Sequence, residues 1–321
     1  MTTPSGQESR YTSLVGDCDV EDRAKLAAYR AKRDEWLRAY ELRKEEPNSI
    51  QQQIFSMLFI DLAYRTLAEP RSSTDKDVQI SARSGLLSHL LDQCYVANQI
   101  LAIRRLLDKR KDVISVRRLL DDITRNKNLL TREIYVCYDG FPYDPELWQK
   151  LPQTVEMRIW GIEAPGLGKY LGARFRHEAF DRLSGVAPSQ RKRTDQIMDS
   201  VFEKLKKWLD DSPAEKLITL SHKFFAHAAD TDSRGTLEYS GIKLADVAGT
   251  HRAIIRVERA ITDELLFIGV ARDVVPMPPL GLFKGLDSPY VLADSLEKMQ
   301  KHWDHLTDER NKWSAGIEKE L

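Results

Sequence analysis

Cysteine is scarce in this chain, with three in 321 residues at positions 18, 94 and 137 and no Cys-x-x-Cys pair among them. An odd, scattered set argues against a disulfide framework and for a reducing, cytoplasmic setting. Net charge is also missing, because 49 Lys and Arg balance 49 Asp and Glu. A globally cationic nucleic-acid binder is therefore not indicated, although a local basic face is compatible with neutrality. Long apolar runs are absent. The most apolar stretch, Ile54 to Ala63, is interrupted by Asp61 and is about half of the ~20 residues that a membrane-spanning helix needs. The polar start, MTTPSGQESRYTS, lacks the apolar centre of a signal peptide, so the expectation is a soluble cytoplasmic protein with no membrane partner.

Nor is there a series of alternating strands. With 42% apolar and 31% charged residues, the composition is that of a globular chain with a highly charged surface. Helical spacing runs from Val20 to Arg43 through Leu26, Tyr29, Trp36 and Tyr40. It resumes from Ser49 to Glu69, where Phe55, Phe59 and Ile60 add to the main face Ile50, Ile54, Met57, Leu58 and Leu62. A helix apolar nearly all round is expected to be central and buried, with Asp61 on its thin polar side or paired with an arginine. A long helix to about Arg110 follows. Ser115 then caps another, with Leu119, Leu120, Ile123, Leu130 and Ile134 on its face. Long helices with short connections predict an all-α bundle with antiparallel neighbours.

Between Tyr138 and Gly172, proline and glycine dominate and predict an irregular insertion with short helical turns near Pro145–Lys150 and Val155–Trp160. Its glycines make no nucleotide loop. Glu163 and Tyr170 stand where a Walker-type loop needs Gly and Ser or Thr, and Gly166, Gly168 and Gly172 are mis-spaced for a dinucleotide fingerprint. A helix is expected over 171–183 and another over 189–210. The second opens on Arg191, Lys192 and Arg193, which read as a solvated face balanced by Asp195, Asp199 and Glu203, or alternatively as phosphate contacts. A further helix from Lys243 carries His251 and Glu258 in its apolar stripe. His251 is expected to be a satisfied core residue; the alternative is a polar seam facing the histidines of 222–227. A final amphipathic helix starts near Ser288. The expected division is a flexible tail over 1–18, a helical domain over 19–270 with the 138–172 insertion, and a C-terminal helical extension over 271–321.

The most specific stretch is Ser212 to Asp230, SPAEKLITLSHKFFAHAAD. Ser212 suits an N-cap, Pro213 the first helical position, and Glu215 completes a capping box. Leu217, Leu220 and Phe224 mark an apolar stripe, after which His222, Lys223 and His227 interrupt it. His222 and His227 are five apart, about 140° around a helix, so they do not chelate as an i, i+4 pair does, and no metal or cofactor is expected. Ser221 lacks the strand-turn-helix elbow of a nucleophilic serine. Lys223 and His227, four apart, share one face. A cation beside a titratable imidazole can hold a phosphate and move a proton near neutral pH, as a metal-independent ribonuclease requires.

His222-Lys223-Phe224-Phe225-Ala226-His227-Ala228 resembles the motif of the HEPN superfamily, all-α proteins many of which are RNases. The Ala-His pair, the Lys four residues before His227, and the following Asp230 carry the likeness. The N-terminal Trp-rich helix, the Ile50–Leu62 helix and the Asn126–Tyr143 segment with its GFPYD resemble the AbiU-type abortive-infection branch, over about residues 19 to 270. The sequence departs from the motif at one place: the family arginine falls five to seven residues before the His, where this chain has Leu220, Ser221 and His222.

The resemblance implies a HEPN-like bundle that acts as a homodimer and cleaves RNA in a defence or toxin–antitoxin setting, with a cognate antitoxin protein as a partner. His227 would be the general acid or base, His222 and Lys223 phosphate contacts, and Ser221, Asp230, Arg191, Lys192 and Arg193 substrate-binding. Without the arginine's bidentate fork, either Lys223 or His222 supplies the charge, or the site is a catalytically silent module that binds RNA or protein. A purely structural scaffold is the third alternative.

Overall fold

A computed structural model describes residues 10–41, 47–69, 85–150, 167–220, 243–268, 284 and 296–311. Every regular element among them is helical, and the isolated antiparallel bridge between Thr131 and Gln196 is the strand-like pairing found there. The elements are α1 (Arg23–Tyr40), α2 (Ile50–Ala68), α3 (Gly85–Leu107), α4 (Val116–Arg125), α5 (Arg132–Cys137), α6 (Leu167–Ser184), α7 (Asp199–Asp210), α8 (Ala214–Leu220), α9 (Leu244–Arg259) and α10 (Leu296–Asn311). The chain divides into two compact units, Met1–Val275 and Pro276–Leu321. No helix among the described residues is long and apolar enough to cross a membrane.

Short polar side chains start several helices by taking orphan backbone donors. Asp22 accepts from the Lys25 amide at 2.8 Å, Ser49 from Gln52 at 3.3 Å and Ser115 from Arg118 at 3.0 Å. The apolar stripes then meet in one core built on Leu26, Tyr29, Ile103, Leu120, Ile134, Phe180, Phe202 and Ile254. The second unit is described by α10 alone, which pairs Lys301 with Glu297 one turn back and exposes Trp303.

Several expectations need correcting. The helix capped by Ser115 is two helices. The Asn126 side-chain amide donates to the Asp122 carbonyl at 2.8 Å, a short 3-10 turn Lys127–Leu129 follows, and Thr131 restarts the chain as the cap of α5. The helix expected from 189 starts at Asp199 instead. Residues 191–198 form a loop whose Asp195 and Arg193 carbonyls accept from the backbone amides of Arg132 and Glu133. The tail expected to be flexible over 1–18 is docked from Arg10 onward: Tyr11 donates to Asp34 at 3.0 Å, Thr12 binds Asp139, and Cys18 is buried. α2 buries one face only, through Ile50, Ile54, Met57 and Leu58, while Leu62 and Leu67 are exposed.

The long C-terminal helix of the first unit ends in a π turn, Ala260–Leu265. The wider turn frees carbonyls that would otherwise stay in the helical ladder. Tyr135 Oη donates to Glu264 O at 2.6 Å and Arg33 Nη2 to Leu266 O at 3.1 Å. Two glycines fit the chain that leaves α5 against its surroundings. Gly140 has φ of +80°, which L side chains rarely adopt. Gly172 admits the Phe141 ring, which a Cβ would meet at 2.3 Å.

Candidate functional site

Helix α8 leads directly into the 222–227 motif, and it is well anchored. The helix starts at Ala214, one residue later than the sequence suggests, and the Ser212 hydroxyl donates to Leu209 O at 2.6 Å and accepts from Ala214 N at 3.4 Å just ahead of it. Ala214 and Leu217 are buried, and the helix packs against α3 and α9. Lys216 pairs with Asp246 of α9 at 2.7 Å. The description stops at Leu220, so Ser221, His222, Lys223, His227 and Asp230 lie outside the described residues.

The two helices under α8 carry a buried polar constellation with α2. Tyr95 Oη donates to Asp61 Oδ1 at 2.5 Å, and Arg65 Nε reaches Oδ1 and Oδ2 at 3.0 and 2.9 Å. The Tyr64 ring stacks on Tyr95 at 3.8 Å. Gln99 Nε2 donates to Met57 O at 3.1 Å, which turns its Oε1 toward His251 Nε2 at 3.0 Å. The imidazole therefore carries its proton on Nε2. His251 Nδ1 faces Asp61 Oδ2 at 4.0 Å. Burial holds His251 well below the usual histidine range, against the pull of Asp61, so it stays neutral near pH 7. His251 is a satisfied core residue and Asp61 is paired with an arginine, the plainer of the two sequence expectations in each case. Glu258 accepts from Tyr40 Oη at 2.5 Å; whether it faces the 222–227 histidines is a matter for residues outside the description.

The 191–193 run belongs to a second polar cluster. Arg191 Nη2 pairs with Asp181 at 2.6 Å, and Arg193 pairs with Glu133 at 2.6 Å and Asp19 at 2.8 Å while stacking 4.2 Å over Tyr143. Lys192 is exposed and gives its backbone amide to Asp195 at 2.9 Å. The two guanidinium groups thus brace the loop against α5 and α6, and the lysine is the outward-facing cation of the three. At the cluster's centre Arg132, wholly buried, binds Asp181, Asp195 and Ser184. Burial opposes ionisation of Asp181, but its bonds to Arg191 and Arg132 outweigh this and lower its pKa.

Sequence reasoning passed over Arg132, Arg176, His177 and Tyr143. Arg176 lies 4.2 Å over Tyr138 and 4.1 Å over Phe141 and donates to Val136 O at 2.9 Å. His177 Nε2 is 2.7 Å from Tyr143 O, and its buried Nδ1 has no hydrogen-bond partner. The signal was available: Ala173, Arg176, His177 and Phe180 are spaced as a buried helical stripe. Burial, reinforced by Arg191 and Arg132 and offset by the Tyr143 carbonyl and Asp181, keeps His177 below its ordinary range.

Among the described residues no group of three His, Cys, Asp or Glu side chains is placed to hold a metal ion. The fold of the described residues defines an all-α protein. No family model, curated protein or solved structure matches the chain.

Proposed function

We propose that this chain is a HEPN-like, metal-independent ribonuclease of a defence or toxin–antitoxin type, with its site at the 222–227 motif. The observation that carries the reading is the pairing of Lys223 with His227 four residues on, preceded by Ala226, directly after a helix fastened to α3 and α9. In the proposed reaction a base removes the proton of a ribose 2′-hydroxyl, whose oxygen attacks the adjacent phosphorus. The bond to the 5′ oxygen breaks and that oxygen takes up a proton. His227 handles one of these protons, and Lys223 and His222 neutralise the phosphate. Lys192 is the outward cation for a more distant stretch of RNA backbone.

One observation favours a second reading: no arginine stands five to seven residues before His227. On that reading the motif binds RNA without cutting it. Incubating the full chain with single-stranded RNA in EDTA, beside His227→Ala, separates the two. Cleavage by the wild type that disappears in the variant supports the ribonuclease. Equal inertness at several pH values refutes it, and RNA retention that weakens steeply with salt then identifies the binding module.

A further inference from the structure

A cavity of about 160 Å³ lies between α1, the start of α4 and the loop ahead of it. Its interior is apolar, lined by Trp36, Ala39, Val113, Ile114 and Leu119. Four charges line it as well, one of each sign from each helix: Lys32 and Glu35 on α1, Arg118 and Asp122 on α4. Asp122 is saturated. Its Oδ2 accepts from Trp36 Nε1 at 2.8 Å and Lys32 Nζ at 3.4 Å, and its Oδ1 from Arg125 at 3.0 Å. Lys32 is shared between that carboxylate and Glu35 Oε2, at 2.7 Å. Glu35 and Arg118 keep capacity in reserve. Among the described residues the Glu35 carboxylate takes one bond, on Oε2, while the Arg118 guanidinium gives Nη1 to the Val113 carbonyl at 2.5 Å and meets no carboxylate. An open guanidinium edge and an open carboxylate oxygen thus stand on the two helices that wall one apolar cavity. Ser115, the N-cap of α4, lines it too, so the positive end of that helix lies on the Arg118 side.

We propose that this cavity binds a small zwitterion, a free α-amino acid with an apolar side chain. The ligand's carboxylate meets Arg118 beside the start of α4, its ammonium meets Glu35, and its side chain fills the space against Trp36, Ile114 and Leu119. Size sets the class. An apolar protein cavity of about 150 Å³ holds one benzene molecule, so the interior here takes a single amino-acid side chain and excludes a nucleotide or a folded peptide. Charge then selects within that class. An inorganic anion on Arg118 would face the carboxylates of Glu35 and Asp122, and a neutral apolar ligand would strip water from the guanidinium without replacing its bonds. A molecule carrying both charges beside an apolar body satisfies every wall at once. The inference stands on this cavity and does not rest on the ribonuclease reading.

Titration calorimetry of the full chain with L-leucine and L-phenylalanine gives the test. At least one of them is expected to bind with a Kd below about 1 mM. Two analogues of leucine each lack one charged group: 4-methylpentanoate has no ammonium, and 3-methylbutylamine no carboxylate. Each should bind at least about tenfold more weakly than leucine, because one wall is left without its partner. Arg118→Gln and Glu35→Gln should each weaken leucine by a similar factor. Each variant should also lose one discrimination: Arg118→Gln should bind leucine and the amine alike, and Glu35→Gln leucine and the carboxylate alike. The proposal is overturned if neither amino acid binds at about 10 mM, if either variant keeps full affinity, or if either analogue binds as tightly as leucine. Should Arg118→Gln fail to fold, Glu35→Gln gives the same reading from an exposed position outside the core.

Discussion

Arg132 donates from Nη1 to Asp181 Oδ1 at 2.7 Å with none of its side chain in contact with solvent. The same guanidinium reaches Asp195 at 2.8 Å and Ser184 at 3.1 Å, so one residue ties α5 to the end of α6 and to the loop before α7. Removing one member of a buried ion pair leaves the other charge poorly compensated. Arg132→Met is therefore expected to cost about 3 kcal/mol in urea unfolding. A loss under about 1 kcal/mol would show that water or Arg191 satisfies Asp181 and Asp195 without it.

His251 and His177 predict an acid-sensitive fold. Both have lowered folded pKa values, chiefly through burial. The unfolded chain, with histidines near their ordinary value of about 6.5, takes up protons first as pH falls. Stability is thus whole above about pH 6.5 and declines below it, toward about 4 for His251. The groups facing His251 are Asp61, Arg65 and Gln99. His251→Gln removes the titration and offers Gln99 an amide donor. Its melting temperature should fall less between pH 7 and 5 than that of the wild type; an identical fall would exclude His251 as a source.

Gly172 predicts a clash that can be relieved. A Cβ there would meet the Phe141 ring at 2.3 Å, and overpacking of this kind costs roughly 1–3 kcal/mol. Gly172→Ala should destabilise accordingly, and Phe141→Leu in that background should recover part of the loss. Equal stabilities for the single and double variants would mean that the ring moves aside freely.

For RNA, Lys223→Ala should weaken retention across unrelated sequences and reduce the slope of log affinity against log salt by about one. Filter binding at several salt concentrations measures it. A slope the same as the wild type's would remove Lys223 from the phosphate contacts.

The helices themselves were readable because their information is local: Ser49, Ser115 and the stripe Leu119, Leu120, Ile123 specify starts and faces through backbone donors and 3.6-residue spacing. The break at Asn126 and the π turn after Arg259 were not, since side-chain bonds to the backbone and distant acceptors such as Tyr135 and Arg33 decide them. The buried arginines were hidden for a related reason. Arg176 and Arg132 look like surface charge until aromatic rings and carboxylates from other helices converge on them. The same convergence takes Arg191 and Arg193 as braces, while the 222–227 motif stays a statement of sequence alone.

By itself, then, the sequence determined the all-α class, most helix starts and the chemical content of the 212–230 stretch, because capping and periodicity act within a turn or two. Tertiary structure alone decided which charges are spent inside the fold and which apolar side chains are left outside it. Those outcomes depend on what lies across from each side chain: Asp181 opposite Arg132, Gln99 opposite His251, and solvent opposite Leu90.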